Sequence, residues 1–101
     1  MIARYWSARA STDNLAAYRR HLQKNVFPKL RKIRGFIRAD LLTRPDGAEI
    51  EIIVLSIWES YAAIESFSGD DREAAVVAPA AAALLVSYDQ KVRHYEISAS
   101  V

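Results

Sequence analysis

The sequence predicts an α+β domain of the ferredoxin-like, split βαβ kind: a four-stranded antiparallel sheet with helices on one face. Three observations carry this. The apolar run Ile50 to Trp58 is mostly β-branched, which favours a strand over a helix. The periodicities along the chain read strand, helix, strand, strand, helix or helices, strand. The central strand is also oily on both sides: Ile50, Ile52, Val54, Ser56 and Trp58 share one face, while Ile53, Leu55 and Ile57 alternate with them on the other, flanked by Glu51 and Glu59. A chain of 101 residues has helices enough for one face, so a second subunit is expected to cover the other, as a homodimer.

Taken in order, Ile2 to Arg9 reads as a strand with Ile2, Arg4, Trp6 and Ala8 on one face. Ser11-Thr12-Asp13 is a helix start with a hydroxyl cap and an acid in the first turn. The helix runs from about Asp13 to Leu30, and Leu15, Tyr18, Leu22, Val26 and Leu30 form its buried stripe. Arg19, Arg20, Gln23, Lys24 and Lys29 lie off that stripe, and His21 falls in the same basic stretch and reads as solvated. Pro28 is expected to kink or interrupt the last turns. After Gly35, Phe36 to Arg44 is a second strand. Pro45-Asp46-Gly47 is a tight turn joining it to the central strand as a hairpin, with Pro at the second turn position.

Ser60 is a cap for a helix through about Phe67 that turns Ile64 and Phe67 inward, and Ser68 to Asp71 breaks it. Arg72 to Val77 is expected to add another helical turn or two. Pro79 suits the first position of an alanine-rich helix through Val86. Ser87 to Ile97 is the last strand, where Val92, His94 and Glu96 alternate with Arg93, Tyr95 and Ile97.

Composition narrows the function classes. With 51% apolar and 26% charged residues and no linker or repeat, residues 1–101 are expected to form one soluble domain. The absence of cysteine excludes disulfides, thiolate metal sites and a cysteine nucleophile, and two histidines make a histidine metal centre a poor expectation. No run reaches membrane-spanning length and no secretory leader is visible, so a cytoplasmic location away from membranes is expected. Net charge is only +2; the basic residues of the first helix and the turn after it lack interleaved aromatics, so no nucleic-acid partner is expected.

The segments IVLSIWES, AAIESFSGDD, AAVVAP and VRHYEI, spread over nearly the whole chain, resemble the antibiotic biosynthesis monooxygenase (ABM) superfamily of dimeric α/β-barrel proteins. The resemblance implies that open sheet faces of two subunits pack together and that each subunit keeps a small-molecule pocket between sheet and helices. It implies an oxidoreductase, a monooxygenase working without cofactor. Two departures stand out. Haem-degrading relatives use a histidine on the helix after the strand-ending tryptophan, whereas no histidine lies between Trp58 and Tyr88, so no haem binding is expected. Quinone-forming, cofactor-free relatives carry an asparagine and a tyrosine at positions near Val54 and Ile64, with Tyr61 close by.

The candidate site residues follow. His94, mid-strand, is a proton-transfer candidate or a ring bonded across strands or at the subunit interface. Arg4 either holds a phenolate or carboxylate in the pocket, or pairs with Glu96 or Asp40 on a neighbouring strand. Trp6, Tyr18, Trp58 and Phe67 would wall the pocket against a flat aromatic molecule, or serve as core aromatics. Two functions are therefore expected from this chain: cofactor-independent oxidation of a small aromatic or polyketide-like substrate, or non-catalytic binding of a small hydrophobic ligand by a dimer.

Overall fold

Strand β1, Ile2–Ser11, is the axis of the sheet in the computed structural model, which describes all residues from Met1 to Val101. Its burial alternates strictly, with Ile2, Arg4, Trp6, Ala8 and Ala10 turned inward. On one side it pairs antiparallel with β3 (Glu49–Trp58), which in turn pairs antiparallel with β2 (Phe36–Asp46). On the other side it pairs with β4 (Leu85–Tyr88) and then β5 (Arg93–Glu96), again antiparallel. The sheet order is β2-β3-β1-β4, with β5 continuing the β4 edge, and the helices cover one face. This is the ferredoxin-like arrangement, with five strand segments in place of the expected four.

The split of the last strand has a visible cause. At Asp89 the chain leaves β1, where the Trp6 indole donates to the Asp89 carbonyl at 2.8 Å. Residues 73–75 then take over the pairing, with Ala75 N donating to Gln90 O and Val92 N to Glu73 O. Of the helical turns expected at 72–77, one hydrogen-bonded turn forms, with Ala74 N donating to Asp71 O, and residues 75–78 continue without helix, in keeping with the β-branched Val76 and Val77. The alanine-rich helix is likewise shorter than expected: α4 is Pro79–Ala82, and Leu85 and Val86 belong to β4.

The first helical stretch contains a 3-10 turn (Thr12–Asn14), α1 (Leu15–His21), a π-helical stretch (Leu22–Val26) and α2 (Phe27–Arg31). Ser11 does not act as a side-chain cap; instead the Thr12 hydroxyl donates to the Ala48 carbonyl. Pro28 sits in the first turn of α2, and the irregularity it imposes falls just before it. Without an N–H, and with its ring crowding the carbonyl four residues earlier, Pro28 disfavours plain α geometry there, and the wider π turn takes up the misfit. The hairpin between β2 and β3 is as expected, but its two-residue loop is Gly47-Ala48 rather than a turn led by Pro45. Gly47 has φ +64° and Ala48 a negative φ, the pattern of a type II′ turn, and Pro45 is tolerated on the edge strand opposite Ile50.

Helix α3, Tyr61–Ser68, starts where the Ser60 hydroxyl accepts from Ala63 N at 3.1 Å and ends at Gly69. Its first turn lies against Gly35, whose φ is +91° and where an added Cβ would meet the Ala63 side chain at 2.8 Å. Only glycine lets the β2 entrance pass that closely. The sheet face away from the helices carries Ile53, Leu55 and Ile57, half-buried and belonging to neither core cluster, with Leu42 and Tyr95 44% and 50% exposed. No helix is long and apolar enough to cross a membrane.

Candidate functional site

The inward faces of β1 and β3 meet in a ladder of pairs: Ile2 with Trp58, Arg4 with Ser56, Trp6 with Val54, Ala8 with Ile52 and Ala10 with Ile50. The two ends of the ladder are closed by separate apolar clusters. Ile2, Leu30, Trp58, Ala63 and Ile64 form one. Ala8, Ala10, Leu22, Ile50, Ile52 and Ala81 belong to the other, together with Trp6 and Tyr18. Between them, over the Arg4–Ser56 and Trp6–Val54 rungs, lies a cavity of about 170 Å³, roofed by the π-helical stretch and by residues 76–78.

Arg4 lies in this cavity and is 4% exposed. Neither Glu96 nor Asp40 pairs with it: Asp40 is bonded to Arg38, and no carboxylate lies within ion-pair distance of Arg4. Its guanidinium donates instead to the carbonyls of Arg72 at 2.6 Å and Ala74 at 2.9 Å, and Nη1 lies 3.0 Å from His94 Nε2. The Phe67 ring lies 5.8 Å from its central carbon. Burial lowers the Arg4 pKa to about 10, so it stays protonated at neutral pH and the cavity contains a cation without an anion.

Trp6 and Tyr18 form the aromatic wall, with ring centres 6.5 Å apart and planes 26° from parallel. Burial pushes the Tyr18 phenol well above its ordinary range, so it is a neutral hydroxyl. Phe67 lines the cavity from α3. Three of the four sequence-predicted wall residues thus meet there with Arg4. Trp58 does not. It is fully buried one rung away, its indole donating to Ser56 Oγ at 2.8 Å and its ring packed edge-on to Phe36.

His94 is also outside the cavity. It faces a more open depression with Tyr61, Arg72, Glu73 and Arg93. Facing an arginine N–H, His94 Nε2 acts as the acceptor, which makes Nδ1 the protonated nitrogen of a neutral ring. Its pKa is lowered by burial and then by the charges of Arg4 and Arg72, with Glu73 opposing. The ring therefore backs Arg4 rather than reaching a ligand.

The imidazole on the cavity wall is His21, which had read as solvated. Its Nδ1 lies 3.2 Å from Asn25 Nδ2, and its ring 6.4 Å from Tyr18. Asn25 and Lys29 follow it along the rim. The signal was present in the sequence: His21, Asn25 and Lys29 recur every four residues, one step beside the apolar stripe Tyr18, Leu22, Val26 and Leu30. No three metal-ligating side chains converge in the fold. The assembled groups are a buried cation, a flat aromatic wall, a neutral phenol and an imidazole near the opening. Such a site can stabilise an oxygen anion and exchange a proton.

A family model, antibiotic biosynthesis monooxygenase, matches residues 1–78. A search of curated proteins finds no match. Among solved structures, the chain is similar to a candidate antibiotic biosynthesis monooxygenase from Bacillus cereus, with TM-score 0.60 and 18% identity over 99% of this chain and 93% of that one. It is also similar to a candidate of the same description from Deinococcus radiodurans, with TM-score 0.57 and 18% identity over 100% of this chain and 96% of that one. At this identity the structural likeness speaks for the fold.

Proposed function

The chain belongs to the antibiotic biosynthesis monooxygenase family, and on that premise we propose that it oxidises a small aromatic or polyketide-like compound with dioxygen in the cavity beside Trp6, without a bound cofactor. The observation that supports this reading is Arg4, a buried cation in the cavity with no carboxylate partner. A phenol whose keto tautomer carries a ring methylene loses its proton to the site, and the oxygen anion rests on Arg4. The charge delocalises to the methylene carbon, which passes electrons to O₂. One oxygen atom becomes the substrate carbonyl; the other leaves as water with the two methylene hydrogens. His21 is the proton acceptor in this reading, in place of His94. Trp6, Tyr18 and Phe67 keep water from the reduced intermediate.

A second reading, a binding protein without turnover, draws support from His94, whose acceptor nitrogen faces Arg4 and not the cavity. The uncovered sheet face around Ile53, Leu55 and Ile57 suits a second copy of the chain, so sedimentation at twice the chain mass is expected. Oxygen uptake tests the chemistry. Phenols of this kind, from one ring to three, should consume O₂ above their autoxidation rate. Arg4→Leu should lower kcat/KM by roughly 100-fold, the scale for removing a charge-stabilising donor. Saturable binding with no uptake across the series would establish the binding protein instead.

A further inference from the structure

We propose that the cavity selects a single-ring aromatic monoanion, a molecule the size of a benzoate or a phenolate with one short substituent. The inference rests on the reading that Arg4 receives an anion, and it narrows what that anion is. Size comes first. The cavity is about 170 Å³, and a dry protein cavity of roughly 150 Å³ holds one benzene. One ring and one small group therefore fill it. A second fused ring has to pass outward between Asn25 and Lys29 on one side and Val76 on the other, all of them exposed. There it is half in water and gains little from burial.

Shape agrees with size. Trp6 and Tyr18 lie within 26° of parallel and offer one flat wall, which favours a planar ring over a branched aliphatic chain. Charge sets the last constraint. The contacts of Arg4 to Arg72, Ala74 and His94 use three of the five guanidinium N–H bonds, so two remain for a carboxylate or phenolate oxygen. The Tyr18 hydroxyl is neutral, and Lys29 at the rim is in water, where an ion pair contributes little. One negative charge is matched and a second is not.

Calorimetric titration of the wild-type protein with benzoate, 2-naphthoate, 9-anthracenecarboxylate and benzamide tests this without a variant. Benzoate should bind, and benzamide, its neutral counterpart, about tenfold more weakly or worse, since it leaves the buried Arg4 charge unneutralised. The two larger acids should bind successively more weakly. Naphthoate or anthracenecarboxylate binding more tightly than benzoate would overturn the single-ring assignment while leaving the anion on Arg4 standing. Benzamide binding as tightly as benzoate would overturn the monoanion. Failure of all four to bind would overturn this inference together with the Arg4 reading beneath it, whereas the oxidation chemistry stands or falls separately on oxygen uptake.

Discussion

Trp6 and Trp58 occupy the same face of adjacent strands, two rungs apart, and each satisfies its indole N–H at 2.8 Å. One is sealed core and the other a cavity wall. The difference lies in what stands over them. Helix α3 places Ala63 and Ile64, both buried, in the same cluster as Trp58, and Gly35 lets the chain close that end tightly. Over Trp6 the roof is a π-helical stretch and an extended segment, and neither fills the space above the Trp6–Val54 rung. A tryptophan on a buried face is therefore a poor guide to a pocket until its cover is known.

Replacing Trp58 with alanine should produce the largest effect, a loss of about 3–5 kcal/mol in denaturant unfolding, because a fully buried indole leaves a void that cannot collapse. A small stability loss accompanied by weakened ligand binding would reverse the assignment of the two residues. Trp6→Leu should act the other way. Stability should fall less than for Trp58, by about 2 kcal/mol, as the indole bond to the Asp89 carbonyl is lost, while affinity for an aromatic anion falls roughly fivefold to tenfold with loss of the aromatic contact. Unchanged affinity would remove Trp6 from the wall.

The smallest effect concerns His94, which supports the cavity from behind. Its folded-state pKa is held below the ordinary 6.5, so as pH drops through 6.5 the unfolded chain takes up a proton before the folded one. The stability this contributes is fully present above pH 6.5 and declines as acid approaches the lower folded value. The thermal midpoint should therefore fall modestly between pH 7 and pH 5, and His94→Gln, which keeps an acceptor for Arg4, should flatten that slope. An identical slope in the variant would mean His94 does not back Arg4 in this way.

The strands and the first helix were legible because period-two and helical patterns are local properties of the chain, as in Ile2 to Arg9 and in the stripe from Leu15 to Leu30. Within residues 72–92 the helix start at Pro79 was legible, but the end of that helix, the stretch 74–78 and the break in the last strand are set at a distance. Alanine favours helix, but pairing of 73–75 with 90–92 and the pull of Trp6 on Asp89 override that preference. Arg4, Trp6, Tyr18 and Phe67 reach the cavity lining because alternation and helical spacing put them on inward faces. His94 shared the inward face by alternation, yet Arg4 stands between it and the cavity, a relation between side chains on different strands that no single-strand pattern contains. His21 was passed over because its charged neighbours Arg19, Arg20 and Lys24 made the whole stretch look solvated.

The π-helical stretch at Leu22–Val26 has a consequence for how this site can be altered. A π turn holds one residue more than the α turn it replaces, so deleting a single residue between Gln23 and Asn25 would restore regular winding. Everything upstream would keep nearly its present direction relative to α2, because the residue removed is the one that the wide turn absorbs. His21 and Leu30 would both keep their faces, and only the backbone over the Trp6–Val54 rung would tighten. One codon thus separates a wide roof from a close one under the same imidazole, an inexpensive route by which kindred chains can resize the cavity without rebuilding the sheet.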